Sequence, residues 1–184
     1  MQDVAAVVTS VGMAEEREVV TYQQLFQQLL NIDPLTAPLE TIVALAKQKI
    51  DIDACNEDKD FWLDLLLTHC IEPELGRGKL TFVIDYPESQ AALAKIKINS
   101  AGCKVAERFE LYIEGVEIAN GYSELTDPGE YLQRFIDDNN KRENSGIQRA
   151  EIDQDFLQAI EKGLPACSGV AMGVDRLMLV AGLE

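Results

Sequence analysis

The sequence predicts an α+β fold in which helices flank an antiparallel sheet, and three observations lead to that prediction. Apolar residues of the first half recur every three or four positions, as in helices. Near residue 80 the period changes, and β-branched and aromatic residues follow one another in Leu80-Thr81-Phe82-Val83-Ile84. The strands are followed by more helices and a final strand–glycine turn–helix segment. This order favours an antiparallel sheet over alternating β–α–β units.

The first predicted helices begin and end at capping and breaking signals. We expect helices over 3–11 and from Thr21 through Leu30, with a charged linker at 14–18 between them. Thr21 and Gln24 have the spacing of a capping box. The segment 31–34 ends in proline and stops the second helix. The residues expected inside are Leu25, Phe26 and Leu29.

Two further helices are predicted before the sheet begins. One covers about 38–49, and the other is capped by Asn56, runs to about Cys70 and ends before Pro73. The residues expected on the inward face of the helix at 38–49 are Ile42, Leu45 and Ala46. Acidic residues in this half show no special spacing, so a solvated surface accounts for them.

The second half contains the predicted sheet. The expected elements are a strand from 80 that ends at Tyr86-Pro87, strands over 105–113 and 116–125 around a Glu114-Gly115 turn, helices over 128–142 and 152–162, and a strand, glycine turn and helix over 167–181. The chain is thus divided into a helical segment, 1–79, and a sheet-forming part, 80–184.

The charge of the chain argues against a nucleic-acid partner. The 184 residues include 16 Lys+Arg and 32 Asp+Glu, a net charge of −16. Residues 1–79 hold 14 acidic and 6 basic side chains, and residues 80–184 hold 18 and 10, so the acidity is spread evenly. Polyphosphates are repelled by such a field, which makes tRNA an unlikely partner and favours a basic protein or a small cation.

Several kinds of site and location are disfavoured by what the sequence lacks. Its four cysteines form no Cys-x-x-Cys pair and its one histidine is His69, which gives a structural zinc site no scaffold. His69 follows Leu65, Leu66 and Leu67 on a predicted helix, and we expect it to be a packing or surface residue. The chain shows no signal peptide and no apolar run of membrane-spanning length, so we expect a cytoplasmic protein with no membrane association.

The hairpin around Glu114-Gly115 is predicted to bring two carboxylates together. A two-residue turn pairs Tyr112 with Glu117 and Glu110 with Ala119. Glu110 and Glu117 then become diagonal neighbours on one face, roughly 6 to 7 Å apart at their Cβ atoms. Like charges at that distance favour a cation between them, such as the Mg²⁺ of a bound nucleotide. A sheet with one wet face would also place carboxylates there, and spacing alone favours that simpler explanation.

A β-bulge is predicted in the second strand of this hairpin. Side chains alternate between the two faces of a strand, so an uninterrupted strand would place Glu117 on one face and Asn120, Tyr122 and Glu124 on the other. One inserted residue would bring all four to the same face. We expect the bulge between Glu117 and Tyr122, at Ala119 or Gly121, because small residues tolerate it. Uninterrupted pairing there would contradict the prediction.

Two parts of the second half resemble a known family. Residues 105–112 and 115–128 (VAERFELY and GVEIANGYSELTDP) resemble class II lysyl-tRNA synthetases, and residues 167–177 (CSGVAMGVDRL) look like their third signature motif. Segments 81–83, 87, 89–91 and 167–171 look more like the lysyl-tRNA synthetase paralogues that modify elongation factor P. The resemblance covers nearly the whole chain, weakly in the helical half, and implies the family's antiparallel sheet flanked by helices.

The resemblance also implies a role for each matching residue. Glu110 and Glu117 would hold Mg²⁺ with ATP, and Arg176, the implied catalytic residue, would contact an ATP phosphate beside Gly173. The residues implied to bind a lysine-like substrate are Asn120, Tyr122, Glu124, Gly169 and Ala171. The carboxylate of Glu124 would meet a substrate ammonium, since a buried ammonium has to be paired. Synthetases commonly have glycine where this chain has Ala171, which implies β-lysine rather than α-lysine.

The implied reaction is the ATP-dependent activation of lysine or β-lysine and its transfer to a lysine of elongation factor P. The family's first motif, which builds its homodimer, has no counterpart in this sequence, nor has the second, with its Phe-Arg-x-Glu arginine. We therefore expect the C-terminal part of a catalytic domain, incomplete and inactive by itself in ATP–pyrophosphate exchange, with an uncertain oligomeric state. Two alternatives stay open: a fragment of a true lysyl-tRNA synthetase, and a non-catalytic ligand-binding or regulatory paralogue.

Overall fold

A mixed sheet with helices on both of its faces organises the computed structural model, which describes residues 1–13 and 15–183. The helices are α1 (Gln2–Ser10), α2 (Tyr22–Leu30), α3 (Leu39–Lys49), α4 (Lys59–Leu66), α5 (Pro128–Asn144), α6 (Gln154–Glu161) and α7 (Val174–Ala181). The strands are β1 (Arg17–Thr21), β2 (Leu80–Pro87), β3 (Ile96–Ile98), β4 (Lys104–Ile113), β5 (Val116–Ser123) and β6 (Ser168–Met172). The α+β class is confirmed.

The sheet has the order β1-β2-β4-β5-β6, and β3 pairs with β4 beyond the end of β5, on the edge opposite to β2. All neighbouring strands are antiparallel except β1 and β2, which pair from Arg17↔Leu80 to Thr21↔Ile84 in parallel. The predicted linker over 14–18 is wrong at 17 and 18, which open β1, and β3 was not predicted. Residues 15 and 16 lie outside helices and strands, and residue 14 lies outside the described residues. Both strands are short; β1 depends on a partner more than 60 residues away, whereas β3 has only three residues and pairs with the nearby start of β4.

The two faces of the sheet are covered by different helices. On the back face, α1 and α7 pack against apolar residues of β2, β4 and β5; the buried members of this cluster include Val4, Val8, Phe82, Leu111, Ile118 and Leu177. On the front face, α2, α3 and α4 surround a larger core that includes Tyr22, Phe26, Trp62, Leu66, Tyr86 and Tyr112. The polar side chains considered below begin at the edge of this front core, where the hydroxyls of Tyr86 and Tyr112 meet Glu110.

Helix α2 confirms the capping prediction and corrects one core residue. The Thr21 hydroxyl accepts from the backbone of Gln24 at 3.1 Å, and the Gln24 side chain accepts from the backbone of Thr21 at 3.0 Å. Asn31 ends the helix in the left-handed conformation, with φ 53°. Leu29 was expected inside but is 44% exposed, because the buried stripe is formed by Tyr22, Leu25 and Phe26.

Helix α4 begins two residues later than predicted. Its N-cap is Asp58, whose carboxylate accepts from the backbone of Asp60 at 3.0 Å. Asn56 makes an Asx turn just before it, accepting from the backbone of Asp58 at 2.8 Å. The helix continues as a π-helical turn, Leu67–Ile71, and a 3₁₀ turn, Glu72–Glu74, which contains Pro73. This extension carries Glu72 toward the β4–β5 hairpin.

Helices α5 and α6 lie where predicted and form a small cluster of their own. Its buried residues are Leu125, Tyr131, Leu157 and Ile160. Strand β6 and helix α7 likewise confirm the predicted strand, glycine turn and helix at the end of the chain. None of the helices in residues 1–13 and 15–183 combines the length and apolar character that crossing a membrane requires.

Candidate functional site

The β4–β5 hairpin confirms the predicted turn and bulge. Glu114 and Gly115 form the two-residue turn, with φ values of 49° and 77°. Tyr112 pairs with Glu117, but the register then shifts, so Glu110 lies opposite Asn120 instead of the predicted Ala119. The shift lies between Glu117 and Tyr122, as expected.

The extra residue of the bulge is Ile118, not one of the small residues. Ile118 and Ala119 are consecutive, yet both are buried in the cluster on the back face. An isoleucine suits this position because it fills that cluster. The insertion turns Asn120 and Tyr122 to the front face, opposite Glu110 and Arg108.

Glu110 is a buried anchor at the centre of the front face. Its side chain is 10% exposed, and its Oε2 accepts from the hydroxyls of Tyr86 at 2.5 Å and Tyr112 at 2.6 Å. Its Oε1 accepts from Arg108 and, at 3.5 Å, from the amide of Asn120. Burial, followed by the charge of Glu110, raises the pKa of both tyrosines, so they stay protonated and donate. Both oxygens of Glu110 therefore already have donors.

Glu117 lies nearer the solvent and is paired with Arg176. Nη1 of Arg176 donates to the Glu117 carboxylate at 3.1 Å and to its backbone carbonyl at 3.0 Å. The side chains of Arg176 and Glu117 are 57% and 35% exposed. An exposed pair of this kind contributes about 0–1 kcal/mol, so both groups can change partners at low cost. The two candidate metal ligands thus differ sharply in their surroundings.

Glu72 is a third carboxylate near Glu110 and Glu117, and no sequence pattern predicted it there. The hydroxyl of Tyr112, which donates to Glu110, also lies 3.2 Å from Oε1 of Glu72. Burial raises the pKa of Glu72, and Glu110 and Glu117 raise it further, whereas the Tyr112 hydrogen bond and Arg176 lower it. Glu72 follows helix α4 and its π-helical turn, and no regular spacing in the sequence relates it to Glu110 or Glu117. Its position near them could therefore not be predicted from the sequence.

Glu124 lies against Gly169 on the neighbouring strand. A Cβ atom at Gly169 would be 2.3 Å from Oε1 of Glu124, so glycine makes room for this carboxylate. The backbone of Glu124 donates to the carbonyl of Cys167 at 3.0 Å, and Tyr122 pairs with Gly169. These contacts bring the start of β6 beside the end of β5, as the predicted pocket requires.

Asn120 carries a buried acceptor that none of the described residues satisfies. Its amide nitrogen donates to Glu110, while its Oδ1 is buried and has no hydrogen-bond donor within residues 1–13 and 15–183. Leaving such an oxygen unpaired costs about 1–3 kcal/mol. A ligand with an N–H group in the pocket would remove that cost. Ala171 is the strand partner of Asn120 and is exposed.

Gly173 connects strand β6 to helix α7, which carries Arg176. Its backbone donates to the carbonyl of Ile118 at 2.8 Å and caps the helix. A Cβ atom there would be 3.4 Å from Cδ of Arg176, an ordinary contact, so the fold does not require glycine on that side.

The described part of the chain holds no group of three or more His, Cys, Asp or Glu side chains arranged for a metal ion.

Comparison with known proteins decides the family. The family of class II tRNA synthetases (D, K and N) matches residues 6–184. The chain belongs to the class II tRNA synthetase family. Because this match covers the helical half as well as the strands, the weak resemblance of that half is confirmed, and the sheet with flanking helices is the sheet of this family.

Within the class II family, the chain is similar to several proteins named elongation factor P--(R)-beta-lysine ligase. The chain is 45% identical over 184 residues to the one from Salmonella paratyphi B (strain ATCC BAA-1250 / SPB7) and 46% identical to the one from Salmonella gallinarum (strain 287/91 / NCTC 13346). Each match covers 98% of this chain and 56% of the relative. The chain therefore spans about half the length of the curated relatives it matches, and the likeness to the paralogues is confirmed.

Proposed function

We propose that this chain carries the amino-acid and ATP site of a ligase that activates a lysine-like amino acid and transfers it to a lysine of elongation factor P. The names of its relatives support the substrate and the acceptor. The observation that carries the proposal is the buried Oδ1 of Asn120, which has no donor among the described residues and lies on the same face as Glu124. An acceptor and a carboxylate on one face suit an amino acid with two amino groups.

In this proposal the two amino groups of the substrate meet different partners. Glu124, seated against Gly169, pairs with one ammonium, and Asn120 accepts a hydrogen bond from the other. Tyr122 forms the wall between them on strand β5. Ala171 lies opposite Asn120 and narrows the pocket by one methyl group, which favours (R)-β-lysine over α-lysine.

The ATP site is proposed at Glu117, Arg176 and Gly173. Arg176 leaves Glu117 for a phosphate, and the Glu117 carboxylate then becomes available to Mg²⁺. Glu110, the second proposed ligand, has to release one of its donors first. Bound Mg²⁺ would neutralise phosphate charge. The carboxylate oxygens fit that ion, which usually retains water and phosphate ligands beside one or two carboxylates.

The chemistry asks for positioning and charge neutralisation more than for a protein nucleophile. The substrate carboxylate attacks the α-phosphate of ATP, a P–O bond forms, and pyrophosphate leaves. The amine of the acceptor lysine then attacks the activated carbonyl, and AMP leaves. Arg176 would stabilise negative charge on the phosphates, and Glu124 and Asn120 would hold the substrate in place. Such a reaction suits the cytoplasm, where ATP and elongation factors are found.

Calorimetric titration of the chain with (R)-β-lysine and with α-lysine, each with ATP and Mg²⁺, tests the proposal. We expect binding of (R)-β-lysine that is lost in Glu124→Gln, which keeps the shape of the side chain and removes its charge. Glu130→Gln is the matched control, since Glu130 is exposed and pairs with Arg134 outside the pocket. No binding of either isomer, or equal binding by Glu124→Gln, would contradict the proposal.

A further inference from the structure

The 3₁₀ turn Glu88–Gln90 lies between helix α4 and strand β4 and is bonded to both. The hydroxyl of Ser89 donates to Asp60 at 2.7 Å, and the side-chain amide of Gln90 donates to Asp64 at 2.9 Å. Asp60 and Asp64 are four residues apart, so they share one face of α4. Two adjacent side chains thus hold the turn on the helical layer.

The main chain of the same turn holds Arg108. The carbonyl of Gln90 accepts from Nη1 of Arg108 at 2.7 Å, and Nη2 donates to Glu110. The guanidinium carbon lies 4.4 Å from the ring centre of Tyr86 and 5.7 Å from that of Tyr122. The Arg108 side chain is 12% exposed. A guanidinium bonded at its edge and covered by rings is held in one orientation.

Arg108 in turn orients residues of the proposed substrate pocket. The ring of Tyr122 packs near its face, and Oε1 of Glu110 is shared between Arg108 and the amide of Asn120. A displacement of Arg108 would therefore move the wall of the pocket and the carboxylate that orients Asn120. Gln90 reaches the pocket through these contacts.

We propose that Gln90 is a positioning residue of the amino-acid pocket. With its side chain held by Asp64, its carbonyl fixes Arg108, and Arg108 fixes Tyr122 and Glu110. The identity of the ligand rests on the proposed function, whereas the positioning of Arg108 is a property of the free chain. The role also accounts for part of segment 89–91, which was singled out by the resemblance and has no role in the proposed function.

Gln90→Ala tests this proposal, because it removes the bond to Asp64 and leaves the turn held on α4 by the side chain of Ser89 alone. In calorimetry of the 184-residue chain with saturating ATP and Mg²⁺, we expect (R)-β-lysine to bind about five- to tenfold more weakly. The affinity for ATP and Mg²⁺ should stay within about twofold, since Gln90 contacts neither Glu117 nor Arg176. Ser89→Ala is the matched control: it frees the neighbouring side chain and leaves the Gln90–Asp64 bond intact, so it should bind like the wild type.

Variants of Asp64 keep the test decisive if Gln90→Ala does not fold. Asp64→Asn retains an acceptor for Gln90 and should bind like the wild type, whereas Asp64→Ala should weaken binding as Gln90→Ala does. Equal binding by Gln90→Ala and the wild type, or an equal loss in Ser89→Ala, would overturn the proposal.

A second readout needs no ligand. The side-chain N–H signals of Arg108 in NMR spectra should exchange slowly in the wild type and in Ser89→Ala, and faster in Gln90→Ala and Asp64→Ala. If the wild type does not bind (R)-β-lysine, the proposed function fails. Unchanged exchange in Gln90→Ala would overturn the positioning role independently of that result.

Discussion

Replacing Gly169 with alanine places a methyl group where the Glu124 carboxylate lies. The new Cβ would be 2.3 Å from Oε1 of Glu124, well inside the normal contact distance. The φ of Gly169 is not positive, so the backbone accepts alanine without strain. The substitution therefore acts on one carboxylate and, if Glu124 pairs with the substrate ammonium, on substrate binding.

The effect of Gly169→Ala on stability depends on whether the Glu124 side chain or the backbone moves to make room for the new methyl group. The atoms nearest the new Cβ belong to the flexible end of the Glu124 side chain, so the carboxylate turns aside and the free energy of unfolding changes by less than about 1 kcal/mol. Losing a hydrogen bond to a charged group costs about 1.5–3 kcal/mol, which corresponds to a loss of affinity of about 10- to 150-fold.

Gly121→Ala is the matched control, because it adds the same methyl group to the buried neighbouring strand. Its Cβ would meet the Phe109 ring at 2.4 Å and the carbonyl of Gly169 at 2.9 Å. Overpacking of this kind costs about 1–3 kcal/mol, or about 3 to 10 °C in Tm.

Thermal unfolding and calorimetry with (R)-β-lysine together decide the question. Gly169→Ala should keep its Tm within about 3 °C of the wild type and lose most of its affinity, while Gly121→Ala should lose stability. Wild-type affinity in Gly169→Ala would refute the pairing of Glu124 with the substrate. A fall in Tm as large as that of Gly121→Ala would show that the methyl group disturbs the sheet.

Three further predictions follow from the contacts of single side chains. Arg176→Ala should weaken binding of ATP with Mg²⁺ at least tenfold in calorimetry and leave Tm nearly unchanged, because its ion pair is exposed. Glu110→Gln should lower the free energy of unfolding in urea by about 3 kcal/mol, since Arg108 stays buried without a carboxylate. Desolvation and the nearby Asp60 and Asp58 raise the pKa of Asp64 from 3.8 to about 6. The stabilisation of the fold that protonated Asp64 provides is therefore present below about pH 4 and is lost as pH rises through 6. Asp64→Asn should therefore unfold about 2 °C higher than the wild type at pH 8 and equally at pH 4, a small difference because Asp64 is at the surface.

The elements of the fold that the sequence predicts well are those with local signals. The capping box of Thr21 and Gln24, the Glu114-Gly115 turn and the parity change after Glu117 each depend on residues within a few positions of one another. The predicted bulge is confirmed. Side chains alternate between the two faces of a strand, so one residue has to be inserted before Tyr122 can lie on the same face as Glu117. Its exact residue was missed because the choice of Ile118 depends on packing against the back layer.

The features that the sequence does not reveal depend on contacts between distant segments. Strand β1 has a parallel partner, β2, that begins more than 60 residues later, and its first two residues, Arg17 and Glu18, were assigned to a charged linker. Glu72 reaches Tyr112 across 40 positions, so nothing near it in the chain marks it as a neighbour of the site. In the same way, no local pattern distinguishes Gln90, whose carbonyl meets Arg108.

Glu110 and Glu117 have the same charge, but their partners differ, and that difference bears on the proposed ATP site. Releasing a donor from Glu110 breaks a buried contact, whereas separating Glu117 from Arg176 opens an exposed pair at a cost of about 0–1 kcal/mol. Separating Glu117 from Arg176 also preserves the local balance of charge. A phosphate takes the place of Glu117 beside Arg176, and a cation takes the place of Arg176 beside Glu117. We therefore expect Glu117 to be the first ligand of the proposed metal, with Glu110 acting mainly through the orientation that it gives Asn120.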